Sequence, residues 1–443
     1  MLDIKFIREN PDLIRKAAKD KRVACDVDRV LEVDRKRREL QVQLDSLREK
    51  VKENGQLVGL LRNPKSDWYK RATAEGKTDA DIRAQADGVQ AELAALKPKI
   101  KELEESEGPV LAEFEQLMYT VPQPADAEVP LGKDETENVE IRRVGEPRRF
   151  DFEPKDHVAL GKELGIIDIE RGVKLAGARN YLLRGDGALL HYAVLRLAFD
   201  MMVARGFKPM VVPVLVREEV MYGTGYFPTG RDQAYLCERD EMSLVGTAEV
   251  PLTAYHTDEI LAEGDLPLRY CATSTCFRRE AGAAGKDTYG LYRIHLFDKV
   301  EQVIICRNDV EESKQFHHEI VQNAEDVLQA LELPYRVVNV CTGDLGMGQV
   351  QKFDIETWMP SRKAYGETHS ASRFYEFQAR RLKFRYRDGA KRVHYCHTLN
   401  NTVIASPRIL IPILELFQNQ DGSVTIPTAV RPYLGGRERI EAA

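Results

Sequence analysis

At 443 residues the chain is longer than one compact domain usually holds, which predicts two domains. Hydrophobic residues make up 43% and charged residues 31%, as in a soluble protein with a sizeable core and some highly charged helix. A net charge of −6 excludes a global basic field, so a nucleic-acid partner would be met by a local basic face.

The N-terminus MLDIKFIREN carries charges where a secretory signal needs an apolar core, and no uninterrupted apolar stretch is long enough to cross a bilayer. Both features predict a cytoplasmic protein with no membrane partner. The seven cysteines (Cys25, Cys237, Cys271, Cys276, Cys306, Cys341 and Cys396) are scattered and never form a C-x-x-C pair. They predict neither a disulfide framework nor a zinc site, and read as buried reduced thiols.

From about Val30 to Val51 apolar residues recur by threes and fours: Val30, Val33, Leu40, Leu44, Leu47, Val51, with Arg37 interrupting. A second stripe runs Ile82, Ala86, Val89, Leu93, Leu96, Ile100, Leu103. Each stripe is narrow and flanked by charge, so each helix needs a partner helix. The segment between them, with Gly55, Pro64 and Gly76, reads as a turn region, and the whole as an antiparallel helical hairpin. Pro98 is expected at a local kink on the outer face. Trp68, Tyr69 and the basic residues of the tip, about 52–80, suit RNA contact, and suit a small self-packed loop equally well.

Residues 121–154, rich in Pro and charge and without helical period, read as a linker. Beyond it, helices such as GALLHYAVLRLAFDMMVARG mix with strand-like runs such as MVVPVLV and KVEQVIIC, without a regular βαβ alternation. That pattern predicts an α+β domain on an antiparallel sheet. No G-x-x-x-x-G-K-[ST] loop is present; GAAGKD at 282–287 lacks the spacing.

Four segments of this domain carry chemistry. In LVGTAEVPLT, Thr247 and Glu249 lie two apart and, if extended, point the same way, able to grip an ammonium group; an ordinary strand end has the same residues. In residues 273–306 a strand leads into Arg278, Arg279 and Glu280, then a Gly-rich loop, then a strand on which Arg293, His295, Phe297, Lys299 and Glu301 alternate. Such a face suits a ligand that is anionic, planar and amine-bearing; a solvated sheet face shows the same alternation. Residues 364–388 offer Glu367 and Ser370 as hard oxygen ligands for Mg²⁺ between phosphates. In residues 397–418 a polar strand end precedes Pro407, Arg408 and an apolar helix, so Arg408 near a helix start suits a phosphate, although alone it reads as a surface arginine.

The run FRREAG…RIHLFDKVE resembles motif 2 of class II aminoacyl-tRNA synthetases, in its seryl version. TAE at 247–249, the GETHSAS run and the Pro407-Arg408 segment are similar to the same family, as are the N-terminal MLDIKFIREN and the linker VPLGKDETENVE. The resemblance implies an α+β fold with an N-terminal coiled-coil hairpin and a class II catalytic domain on an antiparallel sheet. Its domains would be a tRNA-binding domain over 1–120, a linker over 121–154 and a catalytic domain over 155–443.

It implies a serine–tRNA ligase that uses ATP and Mg²⁺, takes L-serine, tRNA(Ser) and also tRNA(Sec), and works as a homodimer, with motif 1 (ALLHYAVLRLAFDMMVARGFKPMVVPVLV) building the interface. Carried over by position, Arg278 and Arg408 would be catalytic. Serine would be held by Thr247, Ala248, Glu249, Glu301, Asn400 and Thr402. ATP would be held by Arg278, Arg279, Glu280, Arg293, Phe297, Glu367, Thr368, His369, Ser370 and Arg408, and the metal by Glu367 and Ser370. Leu296 stands where the family usually has Gln, and Ala371 where Cys is common. A catalytically dead paralogue would be expected to lose Arg278, Glu301 or Arg408, and an amino acid:carrier protein ligase would lack the hairpin; the chain keeps all four features.

Overall fold

The computed structural model describes residues 1–282 and 289–442. Apart from Gly282, the GAAGKD run lies outside the described residues. The chain divides into two compact units, Ala24–Thr120 and Met1–Val23 with Val121–Ala443.

Two short helices, α1 (Ile4–Glu9) and α2 (Pro11–Asp20), come first in the chain; in the smaller unit, helices α3 (Val27–Arg62) and α5 (Asp79–Thr120) pair lengthwise and a short α4 (Asp67–Ala74) closes the tip. Each start is capped by its own sequence. Asp26 accepts from the Arg29 amide, Ser66 from Tyr69, and Thr78 and Asp81 cap each other reciprocally. Val30, Val33, Leu44, Val58 and Leu61 of α3 and Ile82, Ala86, Val110 and Met118 of α5 are buried along the seam. Arg37, which interrupts the stripe, lies over the Phe114 ring at 4.7 Å and pairs with the buried Asp34. Helix α5 runs through Pro98 and Pro109, both on exposed positions. The tip is more ordered than a turn region: Trp68 and Tyr69 pack with Leu61, Ala72 and Ile82 in a small core of their own.

The larger unit is built on an eight-stranded sheet. Its strands in chain order are β1 (Val139–Val144), β2 (Lys208–Met210), β3 (Leu268–Phe277), β4 (Leu296–Cys306), β5 (Tyr335–Asn339), β6 (Gln351–Met359), β7 (Ala364–Tyr375) and β8 (His397–Ser406). They lie in the order β1-β5-β6-β7-β8-β4-β3-β2, antiparallel except for β2 against β3. One face of the sheet packs on α6 (Asp186–Ala204) and α7 (Val310–Ala330), where Val300, Ile304, Leu399, Val403 and Ile404 join the main core. On the other face, Val303, Ile305 and Ala272 meet Ala248, Leu252 and Leu382 in a second core.

The structure bears on three sequence expectations here: the first stands, and the other two need revision. Helix α6, at 19 residues, is long and apolar enough by length and composition to cross a membrane, but half of it is buried, with Leu190, Val194 and Ala198 inside the main core. Strand β1 lies within the segment read as a linker; as an edge strand with an exposed, charged VEIRRV pattern it shows no apolar alternation. Residues Met1–Val23, grouped with the hairpin by sequence, pack in the larger unit, where Lys21 donates to the carbonyls of Gly346, Met347 and Gln349. Burial lowers the Lys21 pKa to about 7.

Candidate active site

A cleft of about 510 Å³ opens on the sheet face opposite α6 and α7. Arg278, Glu280, Phe297, Lys299, Glu367, Thr368, Ser370, Thr402 and Arg408 line it, together with Tyr292 and apolar neighbours. They arrive from β3, β4, β7, β8 and the turns beyond them.

Two irregularities in strand pairing decide which side chains face the cleft. Between β6 and β7 the register passes from Glu356↔Glu367 to Ile355↔His369, leaving Thr368 as an extra residue. Glu367 and Ser370, three apart and therefore on opposite faces of a regular strand, both reach the cleft. Between β4 and β8 the pairs Val300↔Ile404 and Glu301↔Thr402 leave Val403 extra. Val403 and Ile404 consequently both enter the core, while Thr402 and Ala405 both line the cleft.

At one end of the cleft, cations and an aromatic ring gather. The Arg278 guanidinium lies over the Phe297 ring at 5.2 Å and donates from Nε to the Gly246 carbonyl at 3.3 Å. A Cβ at Gly246 would stand 2.3 Å from the Tyr226 hydroxyl, so a larger residue there would have to displace that ring. Arg408 lies over Tyr292 at 4.5 Å and donates to the carbonyls of Tyr292 (3.0 Å) and Glu367 (2.9 Å). Arg293 pairs with Glu280 at 2.8 Å and so orients the carboxylate that enters the cleft. Burial pushes the Glu367 carboxyl up, but Arg408, Lys352, Arg278 and Arg293 together outweigh it and hold the pKa below the usual value.

The other end is acidic and hydroxylic. Lys299 Nζ pairs with Glu301 at 2.6 Å and donates to Thr247 Oγ1 at 2.8 Å and Thr402 Oγ1 at 3.2 Å. Glu249 begins the helix Glu249–Thr253, so the extended segment expected from 247 to 249 is absent; Thr247 Oγ1 instead accepts from the Glu249 amide. The Glu249 carboxylate accepts from Gln378 at 2.7 Å and borders a neighbouring cavity with Tyr226 and Phe374. Burial, and then the charge of Glu301, raise its pKa to about 7. Asn400, two residues from Thr402 on β8, is buried, and its Nδ2 has no hydrogen-bond partner among the described residues.

Not every expected residue reaches the cleft. Arg279 is exposed and engages through its backbone amide with Gln233. Ala248 is buried in the second core. His369 points away from the cleft, bonded to Thr368 at 2.8 Å, and burial lowers its pKa to about 3. His295 and Arg293 precede β4 instead of continuing its alternation; His295 Nδ1 meets the Arg278 carbonyl at 2.9 Å. Leu296 is 41% exposed and lies outside the cleft lining.

Sequence reasoning assigned no role to Tyr292, Lys352, Gln378 or Asp354. Gln378 joins Glu249 to Thr398, whose hydroxyl donates to Gln378 Oε1 at 2.6 Å. Asp354 is cross-strand from Ser370 and 3.1 Å from Lys352; burial, with a contribution from Glu367, raises its pKa to about 7. Its pairing with Ser370 and the charge of Glu367 link Asp354 to the site, and no local sequence signal carries either. Among the described residues no group of three or more His, Cys, Asp or Glu side chains is placed to hold a metal ion.

The antiparallel sheet and its arginine-lined cleft fall within a class II tRNA synthetase core. Residues 235–417 match the family described as tRNA synthetase class II core domain (G, H, P, S and T), and residues 1–124 match the seryl-tRNA synthetase N-terminal domain. A serine–tRNA ligase of Deinococcus radiodurans is 45% identical over 99% of this chain and 98% of its own length. The structure of a seryl-tRNA synthetase from Pyrococcus horikoshii complexed with ATP superposes with a TM-score of 0.85, at 35% identity over the whole of both chains. The cytoplasmic serine–tRNA ligase from Naegleria fowleri in complex with AMP gives 0.81 at 28% identity, covering 100% of this chain and 99% of its own. The chain belongs to the seryl-tRNA synthetase family, whose members are aminoacyl-tRNA ligases.

Proposed function

We propose that the cleft joins serine to tRNA in two steps, with ATP as the activating substrate. Serine carboxylate attacks the α-phosphorus, giving seryl-adenylate and pyrophosphate. The terminal ribose hydroxyl of tRNA(Ser), and of tRNA(Sec), then attacks the acyl carbon and releases AMP. The observation that carries this reading is the polarity of one cleft: Arg278 over Phe297 and Arg408 over Tyr292 at one end, Lys299 and Thr402 at the other, where Lys299 is bonded to Glu301 and Thr247.

In this reading the adenine stacks on Phe297 and its amino group donates to Glu280, held by Arg293. Arg278 spans the α-phosphate and the attacking carboxylate, and Arg408 meets the outer phosphates. Fixed guanidinium groups then stabilise charge as it spreads over the phosphate oxygens. Glu249 and Thr247 take the serine ammonium, while Glu301 and Thr402, with Asn400 nearby, take the hydroxyl. No covalent enzyme intermediate is needed, so positioning and charge stabilisation supply the acceleration.

One carboxylate and one hydroxyl on the cleft face suit a hard cation that phosphates and water also ligate, so Glu367 and Ser370 would hold Mg²⁺. When bound, it supplies neutralisation of phosphate charge. We place the enzyme in the cytoplasm as a homodimer joined along α6 and the segment after it. There Leu189, Tyr192, Val203 and Val211 are exposed apolar side chains, unusual on a monomer's surface when grouped.

Serine-dependent exchange of pyrophosphate into ATP, followed by charging of tRNA(Ser), tests the reading. Exchange with serine and with no other standard amino acid is the expected result; no exchange with any amino acid would refute it. Sedimentation of the full chain is expected to give a dimer.

A further inference from the structure

Lys299 has no part in the reaction as described, yet it is the hub of the serine end. Its side chain is 6% exposed, and its ammonium is directed at Glu301, Thr247 and Thr402. These are the groups proposed above to hold serine. They come from three separated segments, brought together by the Glu301↔Thr402 pairing of β4 with β8 and by the turn ahead of Glu249.

The charges of the pocket do not balance without it. An amino acid brings one ammonium and one carboxylate. Arg278 answers the carboxylate and Glu249 answers the ammonium, which leaves Glu301 as a second buried carboxylate. With nothing beside it, Glu301 would attract a second cation, and the best ligand would be an amino acid with an amine on its side chain. Lys299, 2.6 Å away, already supplies that cation.

Hydrogen-bond direction points the same way. An ammonium has three donors and no acceptor. Thr402 Oγ1 accepts from Lys299 and therefore keeps its own proton to donate, while Glu301 keeps a second carboxylate oxygen to accept. A hydroxyl satisfies both at once, accepting from Thr402 and donating to Glu301. A side-chain ammonium can only donate, would leave the Thr402 proton unanswered, and would stand beside the buried like charge of Lys299.

We infer that Lys299 is a specificity-determining residue, cancelling the charge of Glu301 so that the pocket takes a neutral hydroxyl side chain and refuses a cationic one of the same length. The inference rests on the serine-activating reading above.

The test uses L-2,3-diaminopropionate, which is serine with an amine in place of the hydroxyl; both amino acids are measured at one pH, low enough to keep both amines charged, where protonation of Glu249 weakens the hold on either α-ammonium alike and cancels from their ratio. Pyrophosphate exchange is measured with each amino acid on the full-length chain and on Lys299→Met. The substitution is expected to raise the serine KM about tenfold and to lower the serine-to-diaminopropionate ratio of kcat/KM about a hundredfold, the scale of a buried like-charge contact. The ATP KM is expected to stay within about twofold, because the phosphate-binding arginines are unchanged. An unchanged ratio in a Lys299→Met chain that still unfolds cooperatively would overturn the inference.

If Lys299→Met does not fold, Glu301→Gln decides. It leaves the Lys299 charge uncompensated, so the ratio must rise; a ratio that falls or stays level overturns the inference. Failure of the unsubstituted chain to exchange with serine would refute the activity itself, a different result from either.

Discussion

The hairpin Ala24–Thr120 and the sheet-based unit hold their functional side chains in different ways. Along α3 and α5, buried residues recur at helical spacing where they cluster, as at Val27, Val30 and Val33 or at Ile82 and Ala86, and the ion pairs Arg29–Glu113, Arg48–Glu104 and Arg62–Asp87 step in opposite directions along the two helices. A loss at one step leaves the neighbouring steps intact. The cleft instead draws residues from β4, β7, β8 and the turns that follow β3 and β8, and two extra residues, Thr368 and Val403, set which of them face inward. Damage to the hairpin should therefore spare the chemistry, and damage to the cleft should spare the fold.

The largest expected effect is on the cleft side. Arg278→Ala should lower the rate of serine-dependent exchange about a thousandfold, the upper range for removing one preorganised charge donor, while circular dichroism melting shifts little. Equal loss of melting temperature and activity would mean that Arg278 supports the fold, and would erase the contrast.

Next comes removal of residues 30–105 with a short linker closing the gap. Exchange should persist within a few-fold, whereas charging of tRNA(Ser) should fall about a hundredfold, because the backbone contacts of the hairpin to the tRNA are lost. Loss of both activities together would show that the two units act as one.

Leu44→Ala removes a fully buried side chain from the seam and should destabilise the hairpin by about 2–5 kcal/mol, with the exchange rate unchanged. Arg48→Ala, by contrast, touches only an exposed pair with Glu104 and should leave the melting temperature where it was.

A smaller effect separates the units by pH. Burial raises Glu249 to about 7, so below that pH the carboxyl is protonated and cannot hold an ammonium. The serine KM should fall a few-fold as pH rises through about 7, and Glu249→Gln should flatten the profile. The stability linkage has the opposite sign. The native state keeps a proton that the unfolded chain releases at lower pH, so the contribution of Glu249 to stability is lost as pH rises toward 7. A KM profile that is flat in the unsubstituted chain would remove Glu249 from the substrate.

Much of the hairpin was legible in sequence because helical contacts repeat within a few residues. The stripes at Val30–Val51 and Ile82–Leu103 pointed to paired helices, and the self-packed reading of the tip holds, although its core of Trp68, Tyr69 and Leu61 joins non-periodic residues that gave no helix α4. Strand β1 was read as linker, since an exposed edge strand has no apolar period to betray it. For the cleft, residue types and a family resemblance singled out Arg278, Glu280, Phe297, Thr402 and Arg408, all of which line it. The same reasoning also admitted Arg279, Ala248 and His369, which face elsewhere, because neighbours in a motif alternate between faces.

The amino-acid sequence by itself determined the helical hairpin, the α+β character of the rest and the chemical types available to the site, since each is carried by local pattern and composition. Only the tertiary structure decided that Glu367 and Ser370 share a face, that Thr402 stands opposite Glu301, and that Lys299 sits among the groups proposed for serine. Those outcomes depend on strand register, where one inserted residue exchanges inside for outside, and register is set by partners far away in the chain.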